Sequence, residues 1–221
     1  HVNYQTRVQS RDEEAYAKSL ASKYKKEAFI FTCNLPEKNF EHHARHTRYR
    51  FFEQIIYEKQ YDTLLSAHHL GDKLEWFLMQ LCKGAGVVEL LGMQEREERQ
   101  RYTLFRPLLH LNKTSLLHYL NTKGIAYFHD ESNDEEAHLR NYFRHHYASK
   151  LIDAYASGIA KSFEYLEEDA KRLLPKTMKQ LEELFIIEKA SDELLNIRCI
   201  DKALKKLGIV ASSAQRQEIL R

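Results

Sequence analysis

One stretch constrains this chain more than any other: residues 64–93, LLSAHHLGDKLEWFLMQLCKGAGVVELLGM. Residues 62–67 are short and largely apolar, and read as a buried strand released into the polar pair His68-His69. Leu74, Phe77, Leu78 and Leu81 then recur at i, i+3, i+4 and i+7, which is one face of a helix. Gly84 and Gly86 are expected to stop that helix, because glycine tolerates the left-handed backbone a C-cap needs. The product is a strand, a tight turn carrying His68, His69 and Asp72, and a helix docked back on the sheet. Ligands of open α/β sheets bind at such turns, beyond the carboxyl ends of the strands.

The same residues carry plainer readings. Asp72 followed three residues later by Glu75 matches a capping box, with Asp72 as N-cap and Glu75 at N3. His68 reads equally as a core histidine at a strand end, with His69 its solvated neighbour. A third reading makes His68, His69 and Asp72 partial metal ligands, although adjacent histidines rarely aim at one ion from a strand.

The rest of the chain supplies the sheet that such a turn requires. Residues 1–4 read as the end of a strand, and 13–24 as an amphipathic helix with Ala17, Leu20, Ala21 and Tyr24 on one side. Residues 28–32 (AFIFT) are a second strand. Strand, helix and strand in that order predict a right-handed crossover and a parallel sheet. A helix over 40–59 follows, its apolar side formed by Phe40, Ala44, Phe51, Phe52, Ile55 and Ile56. Arg45, Arg48 and Arg50 stand among His42, His43 and His46 on it, a pattern usual for a solvated face. Residues 94–101 read as a charged loop and 102–105 as a strand. Asn112 is a good N-cap for a helix over 113–123, with Gly124 its C′ residue. Tyr127-Phe128 is expected to add a short strand.

Residues 129–144 hold a second polar turn, Asp130-Glu131-Ser132-Asn133-Asp134, expected to start a helix running through Leu139, Phe143 and Tyr147. Arg140 and Arg144 are four apart and share a face of it. From 148 onward the chain reads as helices. Ile159, Phe163, Leu166 and Ala170 repeat at helical spacing, Pro175 breaks the pattern, 178–185 resumes it, and 198–207 forms another helix ended by Gly208.

Composition closes off some classes. At 221 residues the chain fits one full domain plus a smaller one, and no apolar run is long enough to cross a bilayer. Cys33, Cys82 and Cys199 have no ligand-like spacing and read as thiols of a reducing compartment, so the cytoplasm is expected. A net charge of +2 is too small to announce nucleic-acid binding by itself, which leaves local clustering to carry that argument.

Local clustering does more. Ala67-His68-His69-Leu70-Gly71-Asp72-Lys73-Leu74-Glu75, ending Lys83-Gly84-Ala85-Gly86 and closing with Leu91-Gly92-Met93, resembles the second signature of the tRNA(Ile)-lysidine synthetases, of the PP-loop ATP pyrophosphatase group. Two positions depart from it: Gly71 stands where the family often has an acid, and Trp76 where threonine is common. Ala44-Arg45 followed by Arg48-Tyr49, the string Arg106-Pro107-Leu108-Leu109, and His1-Val2-Asn3 followed by Arg7 resemble further family segments. So does the aspartate-x-serine-asparagine-aspartate turn at 130–134 with Arg140-Asn141 and Arg144. The largest departure is at the front. The family's serine-glycine-glycine-x-aspartate-serine loop, whose bare N–H groups cradle phosphate, is not among these residues, and Gly71 is the first glycine. The chain is therefore expected to start after that loop.

The resemblance implies a Rossmann-like α/β domain of the PP-loop (adenine nucleotide alpha hydrolase-like) type over 1–147, then a small all-helical, tRNA-contacting domain over 148–221. It implies ATP with Mg2+ as cofactors. The implied partners are the CAU-anticodon tRNA(Ile), L-lysine and a second copy of the chain in a homodimer, with no membrane. The implied reaction adenylylates C2–O of the wobble cytidine, after which lysine displaces AMP. By the same resemblance Arg48, His68, Asp72 and Arg140 are catalytic, with Asp72 also a Mg2+ ligand or an anchor for the lysine ammonium. His1, Asn3, His69 and Glu75 would hold the cofactor, and Arg45, Asn141 and Arg144 the substrates. Two other classes fit many of the same residues: another PP-loop tRNA-modifying or amidating enzyme, and a non-catalytic RNA-binding remnant.

Overall fold

The computed structural model describes residues 1–6, 9–36, 38–128, 139–173, 178–181 and 184–220. Arg7, the polar turn at 130–134 and Pro175 lie outside the described residues. The chain forms two units: His1–Glu75 with Met93–Ser149, and Trp76–Gly92 with Lys150–Arg221.

The first unit opens with the expected crossover. Strand β1 (Val2–Asn3) pairs in parallel with β2 (Phe31–Thr32), and helix α1 (Ser10–Lys23) connects them. Asn3 locks the strand end to that helix. Its amide nitrogen donates to Ser10 O at 3.4 Å and to Glu14 Oε2 at 2.8 Å, and its amide oxygen accepts from Gln5 N at 2.9 Å. Helix α2 spans Phe40–Lys59, the range the apolar periodicity predicts.

A second sheet has the order β3 (Thr63–Leu65), β5 (Thr103–Phe105), β4 (Arg96–Glu98), with β3 and β5 parallel and β4 antiparallel to β5. Strand β4 replaces the charged loop expected over 94–101. It carries no apolar alternation, so no periodicity betrays it; its side chains pair instead. Arg96 Nε donates to Glu98 Oε1 at 2.8 Å, and buried Arg106 donates to Gln94 O at 2.6 Å and to Glu97 Oε2 at 3.1 Å. Charged side chains are the usual protection of an edge strand. The core of this unit sits under β5: Leu104 is wholly buried with Ile56 and Tyr102, and Tyr49 and Leu64 pack against them. Burial, with Glu53 as hydrogen-bond acceptor at 3.1 Å, pushes the Tyr102 phenol up to about 12.

Helix α3 spans Leu70–Leu81. Gly84 beyond it adopts φ +73°, but Gly86 sits at φ −78° and begins α4 (Val87–Leu90), so only the first of the two glycines ends the helix as expected. Asn112 caps α5 (Lys113–Thr122), its Oδ1 accepting from Ser115 N at 2.7 Å. Tyr127-Phe128 forms no strand. Tyr16 of α1 fixes that segment instead: its hydroxyl donates to Ala126 O at 2.5 Å, and its ring meets Phe128 edge-on at 5.6 Å. Helix α6 (Leu139–Phe143) runs into a π-helical turn (Arg144–Ala148).

The second unit is mainly helical, with α7 (Ser149–Leu173), α8 (Glu193–Lys206) and α9 (Ser213–Leu220). The helix expected over 178–185 is replaced by an antiparallel hairpin, β6 (Met178–Leu181) and β7 (Leu184–Ile187). Phe185, Ile186 and Ile187 prefer a pleated strand, and a short apolar run does not by itself separate the two periods. Phe77 meets Phe163 edge-on at 5.5 Å. Trp76 has a local partner as well: its Nε1 donates to Glu89 O at 3.1 Å, and a Cβ on Gly92 would stand 2.8 Å from that nitrogen.

Candidate active site

The start of α3 organises the site, and it is capped three residues earlier than the Asp72–Glu75 reading predicts. The His69 carbonyl accepts from Lys73 N at 3.2 Å, which makes His69 the N-cap. His69 Nδ1 accepts from Gly71 N at 3.0 Å, and Asp72 Oδ2 accepts from His69 N at 2.9 Å. This is a capping box made by histidine and aspartate. Gly71 belongs to it: a Cβ there would stand 2.9 Å from His69 Cε1. The folded-over imidazole therefore accounts for glycine at a position where an acid was expected. Its Nδ1 accepts a hydrogen bond, so the His69 proton resides on Nε2, 3.6 Å from Asp72 Oδ2.

Shifting the cap releases Glu75 for another task. It is 2% exposed and takes both arginines of the α6 region. Arg140 Nε donates to Glu75 Oε2 at 2.7 Å and its Nη2 to Asp72 Oδ1 at 2.6 Å. Arg144 donates from Nε to Glu75 Oε1 at 2.6 Å and from Nη2 to Oε2 at 3.2 Å. The i, i+4 spacing read from the sequence thus brings two guanidinium forks onto one carboxylate. A buried charge is tolerable only when paired and hydrogen-bonded, and each member of this cluster is. Burial works against the Arg140 charge, but hydrogen bonding and attraction to Glu75, with Asp72 and Glu41 adding, leave its pKa above the ordinary value.

Asp72 joins that cluster to a cleft of about 370 Å³. Leu64, Leu65, Tyr49 and Phe52 line it together with Ser66, Ala67, His68, Asp72, Arg45 and Arg48. Arg45 lies over the Tyr49 ring at 5.0 Å, which fixes one guanidinium against an aromatic face. The Tyr4 hydroxyl donates to Ala44 O at 2.8 Å; burial raises its pKa, and the neighbouring Arg48 partly offsets that rise. His68 Nδ1 is 2.5 Å from Ser66 Oγ. Burial lowers the His68 pKa, Asp72 opposes the shift, and Arg106, Arg140 and Arg45 reinforce it, so the imidazole is neutral near pH 7.

The structure thus gathers Arg45, Arg48, His68 and Asp72 around one cleft, with Glu75, Arg140 and Arg144 behind Asp72. Asn141 is buried beside them on α6. His69 is spent on the cap. His1 precedes β1 and Asn3 ends it, and neither lines the cleft; the His1 backbone nitrogen donates to Phe29 O at 2.6 Å, and the Asn3 amide is committed to α1. Asp72 has both carboxylate oxygens in hydrogen bonds. One oxygen carries Arg140 and the other the His69 N–H, and among the described residues no group of three His, Cys, Asp or Glu side chains is placed to hold a metal. Sequence reasoning missed Ser66, Tyr49 and Phe52. Ser66 had a signal, since residues two apart in extended chain share a side.

Comparison with known proteins bears on this site as a whole. The sequence profile described as "PP-loop domain" matches residues 1–151. The tRNA(Ile)-lysidine synthase of Campylobacter jejuni (strain RM1221) is 46% identical over 221 residues, covering 100% of this chain and 67% of its own length. The protein of the same name from Wolinella succinogenes is 43% identical, covering 100% of this chain and 68% of its own. That of Helicobacter hepaticus is 38% identical over 253 residues, covering 99% and 60%. The chain spans about two thirds of the first two relatives, and the matched PP-loop region contains the entire ion cluster and the cleft. A PP-loop domain over residues 1–151, with this identity running through to the last helix, makes the chain a member of the tRNA(Ile)-lysidine synthase family.

Proposed function

We propose that the protein ligates lysine to C2 of the wobble cytidine of a CAU-anticodon tRNA(Ile), at the expense of ATP. The observation that carries this reading is the paired Asp72–Arg140 and Glu75–Arg140–Arg144 cluster opening, through Asp72, onto a cleft with Arg48 and neutral His68. The family membership supports it.

The chemistry has two steps. In the first, the C2 oxygen of cytidine attacks the α-phosphorus of ATP; a P–O bond forms, the α–β bridge breaks, and pyrophosphate leaves. Charge gathers on phosphate oxygens, which preorganised guanidinium groups stabilise. Arg48, on the cleft wall, and Arg140, locked by two carboxylates, are the groups we assign to that task, because a planar fork meets two phosphate oxygens at once. In the second, the side-chain amine of lysine attacks C2, the C2–N bond forms, the C2–O bond breaks, and AMP carries off the electron pair. The amine must shed a proton, and we assign neutral His68 to receive it. Asp72 and Glu75 act by holding Arg140 and Arg144. Arg45, Asn141 and Arg144 are assigned to contact with the tRNA. Magnesium we take to arrive on the ATP phosphates, its common mode of binding.

Among the described residues no helix is long and apolar enough to cross a membrane, and we place the reaction in the cytoplasm. We assign residues 1–147 the catalytic role and residues 148–221 contact with tRNA, and we propose a homodimer, which light scattering of the full-length protein tests. The reaction itself is tested by ATP-dependent incorporation of labelled lysine into tRNA from cells lacking the modification. Full-length protein should incorporate lysine, and Arg140→Ala should do so far more slowly. Retention of tRNA binding with no incorporation under any condition would overturn the reading in favour of a silent RNA-binding protein.

A further inference from the structure

Ser66 follows β3 directly, and its backbone N–H still donates to Phe105 O of β5 at 2.9 Å, so it stands on the sheet rather than on a free loop. Two residues on, His68 leaves the chain on the same side, and Ser66 Oγ lies 2.5 Å from His68 Nδ1. Both side chains line the cleft. We propose that Ser66 is a positioning residue for His68, holding the imidazole by Nδ1 so that Nε2 is the nitrogen left for the substrate. This rests on the assignment of the cleft as the site of lysine transfer.

A hydroxyl suits this place because it both donates and accepts. With the imidazole neutral and its lone pair on Nε2, Nδ1–H donates to Ser66 Oγ. When lysine attacks C2, Nε2 takes the proton the amine sheds while the C2–O bond to AMP breaks. The resulting imidazolium keeps its Nδ1–H bond to the serine, so proton transfer leaves no buried donor unpaired. The groups facing His68 come from four other places in the fold: Asp72 on α3, Arg106 beyond β5, Arg140 on α6 and Arg45 on α2. Three of those four disfavour the imidazolium, which makes an acceptor at Nδ1 matter more. The arrangement follows the general pattern in which the partner of one ring nitrogen sets the tautomer and aim of the other.

The test uses the full-length protein carrying Ser66→Ala, Ser66→Thr or Ser66→Cys, with single-turnover lysine transfer followed across pH. Ser66→Ala should lower the transfer rate about tenfold, with KM for lysine and tRNA changed by less than about twofold. It should also move the acid limb of the pH profile to lower pH, because the imidazolium has lost its Nδ1 acceptor. Ser66→Thr, which keeps the hydroxyl, should restore both rate and limb. Loss of packing alone would lower stability and leave the limb in place. Should Ser66→Ala fail to fold, the threonine and cysteine variants decide: equal rates and limbs overturn the proposal, and a threonine advantage supports it. His68→Ala separates the two levels. A fully active His68→Ala enzyme would sink the assignment of the site itself, whereas an inactive His68→Ala beside a wild-type-like Ser66→Ala would sink only the role of Ser66.

Discussion

Glu75 and Asp201 are both buried carboxylates that hold two cationic side chains, one in each unit of the chain. Glu75 binds Arg140 and Arg144, which lie 65 and 69 residues away in sequence. Asp201 binds Lys205, one helical turn on at 2.5 Å, and Arg216 of α9, 15 residues away; Lys205 also reaches Glu89 at 2.9 Å. The chemistry is nearly the same, and the surroundings are not. Beside Glu75, Asp72 opens the cluster to a cleft with His68 and Arg48. The cleft along α8 and α9 is lined by Leu204, Ile209, Val210 and Ile219, and none of the Asp201 cluster lines it. Buried charge pairing alone therefore does not mark chemistry. What marks it is pairing that leaves one member facing a space a ligand can enter, next to polar groups still unspent.

Substitutions can break this comparison. The largest effect expected is on folding. Glu75→Ala strands two arginines without their shared carboxylate, and should cost about 3–5 kcal/mol in urea denaturation, as removal of one partner from a buried ion cluster does. Arg140→Ala should spare most of the fold and lower the single-turnover rate of lysine ligation by about 10²- to 10³-fold, the scale for losing one preorganised charge-stabilising donor. If Arg140→Ala ligates at a wild-type rate, the two clusters are alike after all, and both are architectural. Arg216→Ala provides the counterpart. It should lower stability by about 1–3 kcal/mol, while the ligation rate per folded molecule stays unchanged.

A smaller effect separates the clusters by pH. Burial raises the Asp201 pKa, but hydrogen bonds from Lys205 and Arg216 outweigh it and leave the carboxyl below its ordinary value. A depressed carboxylate stabilises the fold above its unfolded pKa and loses that contribution as pH falls through the folded one. Asp201→Asn should therefore flatten the stability profile below the ordinary aspartate value of 3.8. His68 acts in a different window. Its folded pKa lies below 6.5, so the unfolded chain binds the proton first, and stability falls as pH drops from 6.5 toward the folded value. His68→Asn should remove that slope. Identical acid melts for wild type and both variants would dissolve the distinction. The mildest change is Trp76→Phe, which loses the hydrogen bond to Glu89 O and should cost about 1 kcal/mol.

Much of this molecule was legible in its residues. The apolar spacing at 40–59 placed α2 to the residue, because a long amphipathic helix writes its period into the sequence. Asn112 as a cap and the parallel crossover between β1 and β2 followed from local rules. Strand β4 escaped, since its pairing relies on charge and on Arg106 rather than alternation. The hairpin β6–β7 escaped because four-residue apolar segments fit either period. In the site, the motif residues were legible, but the contacts among them were not. Asp72 and Glu75 read as a capping pair, whereas His69 takes the cap with Asp72 and Glu75 takes the two arginines.

Residue types and spacing alone determined which side chains were available here: two histidines and two carboxylates at the start of a helix, and two arginines four apart far down the chain. Tertiary structure decided which of them met. The His69 ring folds over Gly71 and takes the cap, which frees Glu75 to face inward, where burial without a partner would be prohibitive. Only the fold brings Arg140 and Arg144 across more than sixty residues to satisfy it. Local propensity is set by neighbours within a turn or two, whereas the pairing of a buried charge depends on whatever the folded chain carries to it.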